Sequence, residues 1–207
     1  MRLSEEDARE KCLKMLKNVL THENLKEIIN IARQFDMKDI IIRAFEEKGN
    51  ELYDSCDYTN AFTHYFNALE AMQEEGGLNN KAIIYNKLGK CKIMLLSYSD
   101  ALLYFINSYH YALIINNKKI QKNSIYNIAL SYKKLGEVSK AIEFIDKFIE
   151  LCDINTEFND YVNANIIKCN CYVEKGFYDK AIELYNTIQD KFNDTIDPLL
   201  ACVYNNL

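Results

Sequence analysis

Seven cysteines and three histidines are the side chains in this 207-residue chain with the widest chemical reach. Thiolates could act as nucleophiles and imidazoles as bases or metal ligands. Their placement assembles neither chemistry. His22, His64 and His110 are scattered, and no two cysteines have the C-x-x-C spacing. Cys169 and Cys171 are the one close pair, and on a helix they would point about 200° apart, too far to share a metal ion. Scattered thiols of this kind read as small buried hydrophobes in a reducing compartment. G-x-S-x-G, P-loop and H-E-x-x-H motifs are all missing, so neither enzymatic activity nor a cofactor is expected.

The remaining candidates are carboxamides, lysines and tyrosines, whose meaning depends on the elements that carry them. Composition bounds those elements. Hydrophobic residues make up 49% of the chain and charged residues 27%, the balance of a folded protein. Proline occurs once, at Pro198, and glycine six times, too few for the frequent turns of a sandwich or barrel. A nearly all-helical chain is expected. Its net charge of −5 argues against direct nucleic-acid binding. The one basic run, Lys118 to Lys122, reads as a solvated interhelical stretch. The acidic start MRLSEEDARE resembles neither a signal nor a transit peptide. No window approaches the roughly 18 apolar residues of a membrane span. A cytoplasmic chain with no membrane contact is expected.

One phrase recurs. DYTNAF, SYSDAL, EVSKAI and FYDKAI place Ala61, Ala101, Ala141 and Ala181 at a constant spacing of 40. Twelve residues before each alanine stands a small residue: Gly49, Gly89, Ala129 and Cys169. Four residues after each stands a large apolar one: Tyr65, Phe105, Ile145 and Tyr185. Small residues let two helix backbones approach, and a large side chain one turn on fills the space beside them. Each unit therefore reads as a helical hairpin. Ala82, Tyr85, Leu88 and Gly89 share a helical face, as do Ala141, Phe144, Ile145 and Phe148. Gly136 and Gly176 supply the backbone freedom of a helix ending, and Asp57 and Ser97 suit helix N-caps.

These marks resemble the tetratricopeptide (TPR) family: a small residue in the first helix, then an alanine and an aromatic in the second. The resemblance implies an all-α, right-handed superhelix of antiparallel helix pairs. It covers Ile42 to Phe192 closely and the N-terminal helices more loosely, and it implies one solenoid domain, 1–207. Degenerate helices would occupy 1–40 (Glu5–Leu20 and Asn24–Phe35), and repeats 42–76, 82–116, 122–152 and 162–192. A partial repeat would occupy 197–207, so the chain reads as a fragment of a longer one. Family repeats run to about 34 residues; the surplus here is expected in the joints QEEGGLN, INNKKIQ and DINTEFND. Lys48 and Lys168 stand where the family has an apolar residue, and Phe148 and Ile188 where it has alanine.

In such a solenoid the first helices line a concave surface suited to a peptide or a partner's helix. A carboxamide can both donate to and accept from a peptide backbone. Asn86, Asn127, Asn163 and Asn170 fall on first helices away from the small-residue marks, with Tyr53, Lys90, Tyr126 and Lys134 within a turn. The peptide-binding set expected is therefore Asn86, Lys90, Tyr126, Asn127, Lys134, Asn163 and Asn170, with no metal ligands. Tyr85, Tyr132 and Tyr172 are expected to pack between helices. The forty-residue repeats, preceded by acidic helices and rich in Tyr-Asn pairs (Tyr85-Asn86, Tyr126-Asn127, Tyr204-Asn205), also resemble the C-terminal half of clostridial helix-turn-helix regulators of the PlcR and Rap peptide-receptor type. That resemblance implies a short signalling peptide in the groove, changed curvature or homodimer contacts, and control of a DNA-binding domain elsewhere. A constitutive protein-interaction scaffold is the alternative reading; a phosphatase of the Rap type ranks last.

Overall fold

The protein is described by a computed structural model covering residues 4–72 and 77–192. The partial repeat from Asp197, with Pro198, Leu199, Leu200 and Val203, lies outside the described residues, as does the Tyr204-Asn205 pair. Ten helices are present among the described residues, with no strand. They are α1 (Glu5–Met15), α2 (His22–Gln34), α3 (Lys38–Asp54), α4 (Tyr58–Ala71) and α5 (Leu78–Met94). α6 (Tyr98–Ile114), α7 (Lys118–Lys134), α8 (Val138–Glu150), α9 (Phe158–Glu174) and α10 (Tyr178–Phe192) follow. First helices start at 38, 78, 118 and 158, and second helices at 58, 98, 138 and 178, so the period of 40 holds in the backbone.

The helix starts precede the repeat starts expected from sequence because the residues that betray a repeat lie inside its helices. The surplus over a shorter repeat is also placed differently from expectation. In the second repeat α6 runs on to Ile114, and only 115–117 join it to α7. Both helices there have 17 residues, so length has gone into helix, because Tyr109 to Ile114 continues a helical apolar run. Between the repeats, the connections at 72–77 and 151–157 are the long ones.

The chain divides into two compact units at Ile120 and Gln121. In the first, α1, α2 and the start of α3 enclose Cys12, Leu20, Ile28 and Ile40, while α3 to α6 enclose Tyr65, Met72, Ile84 and Leu88. In the second, Val162, Cys169, Tyr185 and Ile188 form a core between α9 and α10.

The hairpins close where the sequence pattern places the contact. A Cβ added at Gly49 would lie 2.6 Å from the Tyr65 ring, and one at Gly89 would lie 2.6 Å from the Phe105 ring. No real carbon tolerates such a distance. Ala61, Ala101, Ala141 and Ala181 are fully buried. In the fourth repeat the Cys169 Sγ instead approaches the Ala181 carbonyl at 3.7 Å. The departures from the family pattern are accommodated singly. Lys48 pairs with Glu51 at 3.1 Å and Lys168 with Asp146 at 2.6 Å. Phe148 and Ile188 are buried.

Each turn inside a hairpin ends on a left-handed residue: Cys56 (φ 65°), Leu96 (φ 59°), Gly136 (φ 77°) and Gly176 (φ 74°). Glycine takes this conformation freely, whereas a residue with a side chain pays about 1–2 kcal/mol. Asp57 caps α4 by accepting the Asn60 N–H at 3.3 Å. Ser97 holds the N-cap position of α6 without a side-chain cap bond. Tyr85 stacks on Tyr111 at 5.5 Å and Tyr132 packs on Phe144 at 5.5 Å; Tyr172 is half-buried.

Two outcomes follow for denaturant titration. Gly89→Ala should lower stability by about 1–2 kcal/mol, the overpacking cost less the gain in helix propensity. Leu96→Gly should raise it by about 0.5–1 kcal/mol, the relief of left-handed strain less the added chain entropy, since Leu96 is 72% exposed and has little burial to lose.

Candidate functional site: the α3–α5 groove

A groove of about 480 Å³ lies between the first helices α3 and α5, lined by Glu47, Asn50, Tyr53, Asp54, Tyr65, Lys87 and Lys90. Glu47, Asn50 and Asp54 fall three, then four residues apart and so share one face of α3. Lys87 and Lys90 do the same on α5. The floor is a closed hydrogen-bond network. The Lys87 Nζ donates to the Glu46 Oε1 at 2.7 Å and to the Asn50 Oδ1 at 2.8 Å. The Tyr65 hydroxyl donates to the same oxygen at 2.9 Å, and the Asn50 Nδ2 donates to the Glu47 Oε2 at 3.2 Å. Burial, reinforced by nearby Cys91 and the Asp54 and Glu46 carboxylates, pushes the Tyr65 phenol well above its ordinary range. It therefore stays a neutral donor at physiological pH.

Lys90 differs from Lys87. It is exposed, and among the described residues no ion pair engages it. Tyr53 adds a flat apolar wall, packed edge-on against Tyr58 at 5.2 Å. The groove thus offers one available ammonium, two carboxylates and an aromatic surface over a hydrogen-bonded floor.

Of the residues expected from sequence, Tyr53 and Lys90 are brought together here. Asn86 shares the Lys90 face of α5 one turn earlier but does not line the groove; it is half-buried, and its Nδ2 is buried without a hydrogen-bond partner. The other five belong to the second unit. Tyr126 is half-buried and packs on Phe148 at 5.1 Å, and burial, then Asp160, raises its phenol. Asn127 is half-buried, and its carbonyl accepts the Ser131 hydroxyl at 2.8 Å. Lys134 is exposed in the last turn of α7, seven residues from Asn127 and on its face. Asn163 and Asn170 are half-buried and share a face of α9.

Glu47, Asn50, Asp54, Tyr65 and Lys87 were missed as groove residues. A signal existed for two of them. Subtracting 40 from Asn127 gives Lys87, and from Lys90 gives Asn50.

The basic run is not an interhelical stretch. Lys118 to Lys122 form the first turn of α7, where the Asn117 Oδ1 accepts the Ile120 N–H at 3.2 Å. Lys122 is buried, bonded to Glu157 and 3.6 Å from Asp160. Burial opposes its charge, but the bond and charge of Glu157 outweigh that and raise its pKa. The physical reason is helical periodicity: Lys122 lies on the face that meets the start of α9.

Burial pushes the Cys91 thiol up to about 12 and those of Cys169 and Cys171 to about 11, so none is a nucleophile near neutral pH. Among the described residues no group of three or more His, Cys, Asp and Glu could hold a metal ion. No helix among them is long and apolar enough to cross a membrane.

No family model matches the chain. Human tetratricopeptide repeat protein 29 is 22% identical over 157 residues, which are 76% of this chain and 32% of that protein. The chain thus spans about a third of the length of the curated relative it matches. Among solved structures, aspartyl phosphate phosphatase F from Bacillus subtilis has a TM-score of 0.68 at 16% identity, covering 92% of this chain and 51% of its own. YrrB, described as a TPR protein with an unusual peptide-binding site, has a TM-score of 0.65 at 18% identity, covering 98% and 90%. BtubC from P. vanneervenii has a TM-score of 0.68 at 13% identity, covering 98% and 88%. With the helix pairs and their small-to-large contacts, these likenesses define the class: the fold is that of tetratricopeptide-repeat proteins.

The Lys122 cluster has a pH signature. The Lys122 bond, then the Asp153 N–H, holds the Glu157 carboxyl below its ordinary range. A depressed carboxyl contributes stability above its unfolded pKa and loses it as pH falls through the folded value. Thermal unfolding followed from pH 7 down to pH 3 should therefore show a steeper acid loss for the wild-type chain than for Glu157→Gln.

Proposed function

We propose that the chain is a non-catalytic interaction domain that holds a short peptide, or a segment of a partner protein, in the α3–α5 groove. The observation that carries this reading is the contrast between the two lysines. Lys87 is already bound to Glu46 and Asn50, while Lys90 stands exposed over the same floor. A carboxylate of the ligand would meet Lys90, and an apolar side chain would lie against Tyr53. Asn86 extends the proposed contact set along α5, and Asn127, Lys134, Asn163 and Asn170 form a separate candidate set within the second unit.

The finer reading is a cytoplasmic, ligand-sensing and dimerising part of a bacterial transcriptional regulator, responding to a quorum-sensing peptide. The forty-residue repeats rich in Tyr-Asn pairs support it, as does the likeness in fold to aspartyl phosphate phosphatase F. The net charge of −5 supports a segment that does not itself bind nucleic acid. One observation favours the constitutive scaffold instead. The groove floor is hydrogen-bonded within the chain itself, through Lys87, Asn50, Glu46, Glu47 and Tyr65, which suits a preformed surface better than a switch.

Calorimetry with short acidic-ended peptides tests the groove. Lys90→Glu should weaken binding about tenfold, the equivalent of one lost charge contact of about 1.4 kcal/mol. Unchanged affinity would remove the groove from the account. Sedimentation separates the finer readings: a concentration-independent monomer, with and without peptide, excludes the homodimer.

A further inference from the structure

The two complete repeats of the first unit can be compared position by position. In the second, Tyr85 on α5 carries two aromatic neighbours from α6. Tyr104 lies 6.3 Å away at 33°, and Tyr111 stacks on the ring at 5.5 Å and 15°. Forty residues earlier the first neighbour is reproduced: Phe45 on α3 has His64 of α4 at 6.0 Å and 37°. The second neighbour is not. The counterpart of Tyr111 is Ala71, a side chain with no ring.

That difference leaves a space. A pocket of about 460 Å³ is floored by Ile41, Phe45 and Ala71 and rimmed by Arg33, Asp36, Lys38, Asn67 and Glu70. It shares no residue with the α3–α5 groove. Phe45 lines this space, and among the described residues His64 is its one ring contact, so Phe45 has no counterpart of the ring that Tyr111 lays on Tyr85. Aromatic rings favour such offset stacks, and the volume falls within the range of pockets that enclose a ligand group.

We propose that this pocket receives one planar aromatic side chain, a tyrosine, presented by a partner polypeptide. The incoming ring completes on Phe45 the stack that Tyr111 completes on Tyr85 within the chain. Tyrosine suits the site better than phenylalanine because the rim holds charges of both signs and a carboxamide. A phenolic hydroxyl at the ring's outer end can donate to Glu70 or Asp36, or accept from Arg33 or Asn67. A ring of this kind buries large area at small entropic cost, as interface anchors do.

The test uses N-acetyl-L-tyrosinamide as probe and N-acetyl-L-leucinamide as its aliphatic control. In NMR titrations of the whole chain the tyrosine probe should saturably shift the Ala71 methyl and Phe45 ring signals. The leucine control should shift them at least fivefold less. Ala71→Tyr supplies the ring from within and should abolish the probe-induced shifts while raising the thermal midpoint. Tyr111→Ala opens the equivalent space in the next repeat and should raise the stoichiometry from one probe to two. Should Ala71→Tyr fail to fold, Ala71→Leu obstructs the same volume without a ring and must also weaken the probe at least fivefold. The proposal is overturned if the probe leaves Ala71 and Phe45 unshifted, if the leucine control binds equally well, or if filling position 71 changes nothing. Since Lys90 lies outside this pocket, Lys90→Glu should leave probe binding intact, so the two sites stand or fall separately.

Discussion

The approach of a first helix to its second, with one glycine against one ring, is the constraint on which the rest of this structure depends. Gly49 under Tyr65 and Gly89 under Phe105 leave no room for even a methyl group. Close packing of this kind fixes both the separation and the register of a pair, because interdigitated surfaces have few alternative fits. With register fixed in the first two hairpins and the second repeating the first at 40, the first helices α3 and α5 come to lie side by side. The groove is a consequence. Glu47 and Asn50 of one repeat, with Glu46, face Lys87 and Lys90, the counterparts of Glu47 and Asn50 in the next. Tyr65 belongs to both arrangements, its ring against Gly49 and its hydroxyl on Asn50.

Sequence patterns carried the fold further than the site, and the reason is physical. Burial at Ala61, Ala101, Ala141 and Ala181 admits little else, so the residues there repeat visibly. Helix ends are set by weaker forces. Leu96 and Cys56 occupy a left-handed position that glycine marks openly only at Gly136 and Gly176, and the helical run to Ile114 hid the short joint behind it. The groove was harder still. Its polar residues differ from repeat to repeat, so no type repeats at Glu47 and Lys87 or at Asn50 and Lys90, and only the offset of 40 relates them. Asn86, which stands out by its chemistry, lies beside the groove, whereas Asn50, which does not, lines it. Tyr126 shows the converse: a tyrosine on a first helix spent on packing against Phe148.

What distinguishes this chain from a uniform stack of hairpins is therefore the set of places where one repeat departs from the next. Charge alternates between equivalent positions at Glu47 and Lys87, making a groove with an acidic and a basic wall. Bulk alternates at Ala71 and Tyr111, leaving an aromatic face open in one repeat and closed in the other. Both departures lie on a scaffold whose buried marks barely change. In a repeat fold the invariant residues hold the architecture, and specificity is written in the variation between them.

The most direct test of this account is the contact between glycine and ring, read by nuclear Overhauser effects in solution. Strong cross-peaks should connect the Gly49 α-protons to the Tyr65 ring and the Gly89 α-protons to the Phe105 ring, with both glycine signals shifted upfield by the aromatic face. Absence of these cross-peaks in the folded chain, or their appearance between Gly89 and a ring of another register, would contradict the helix pairing and the groove built on it.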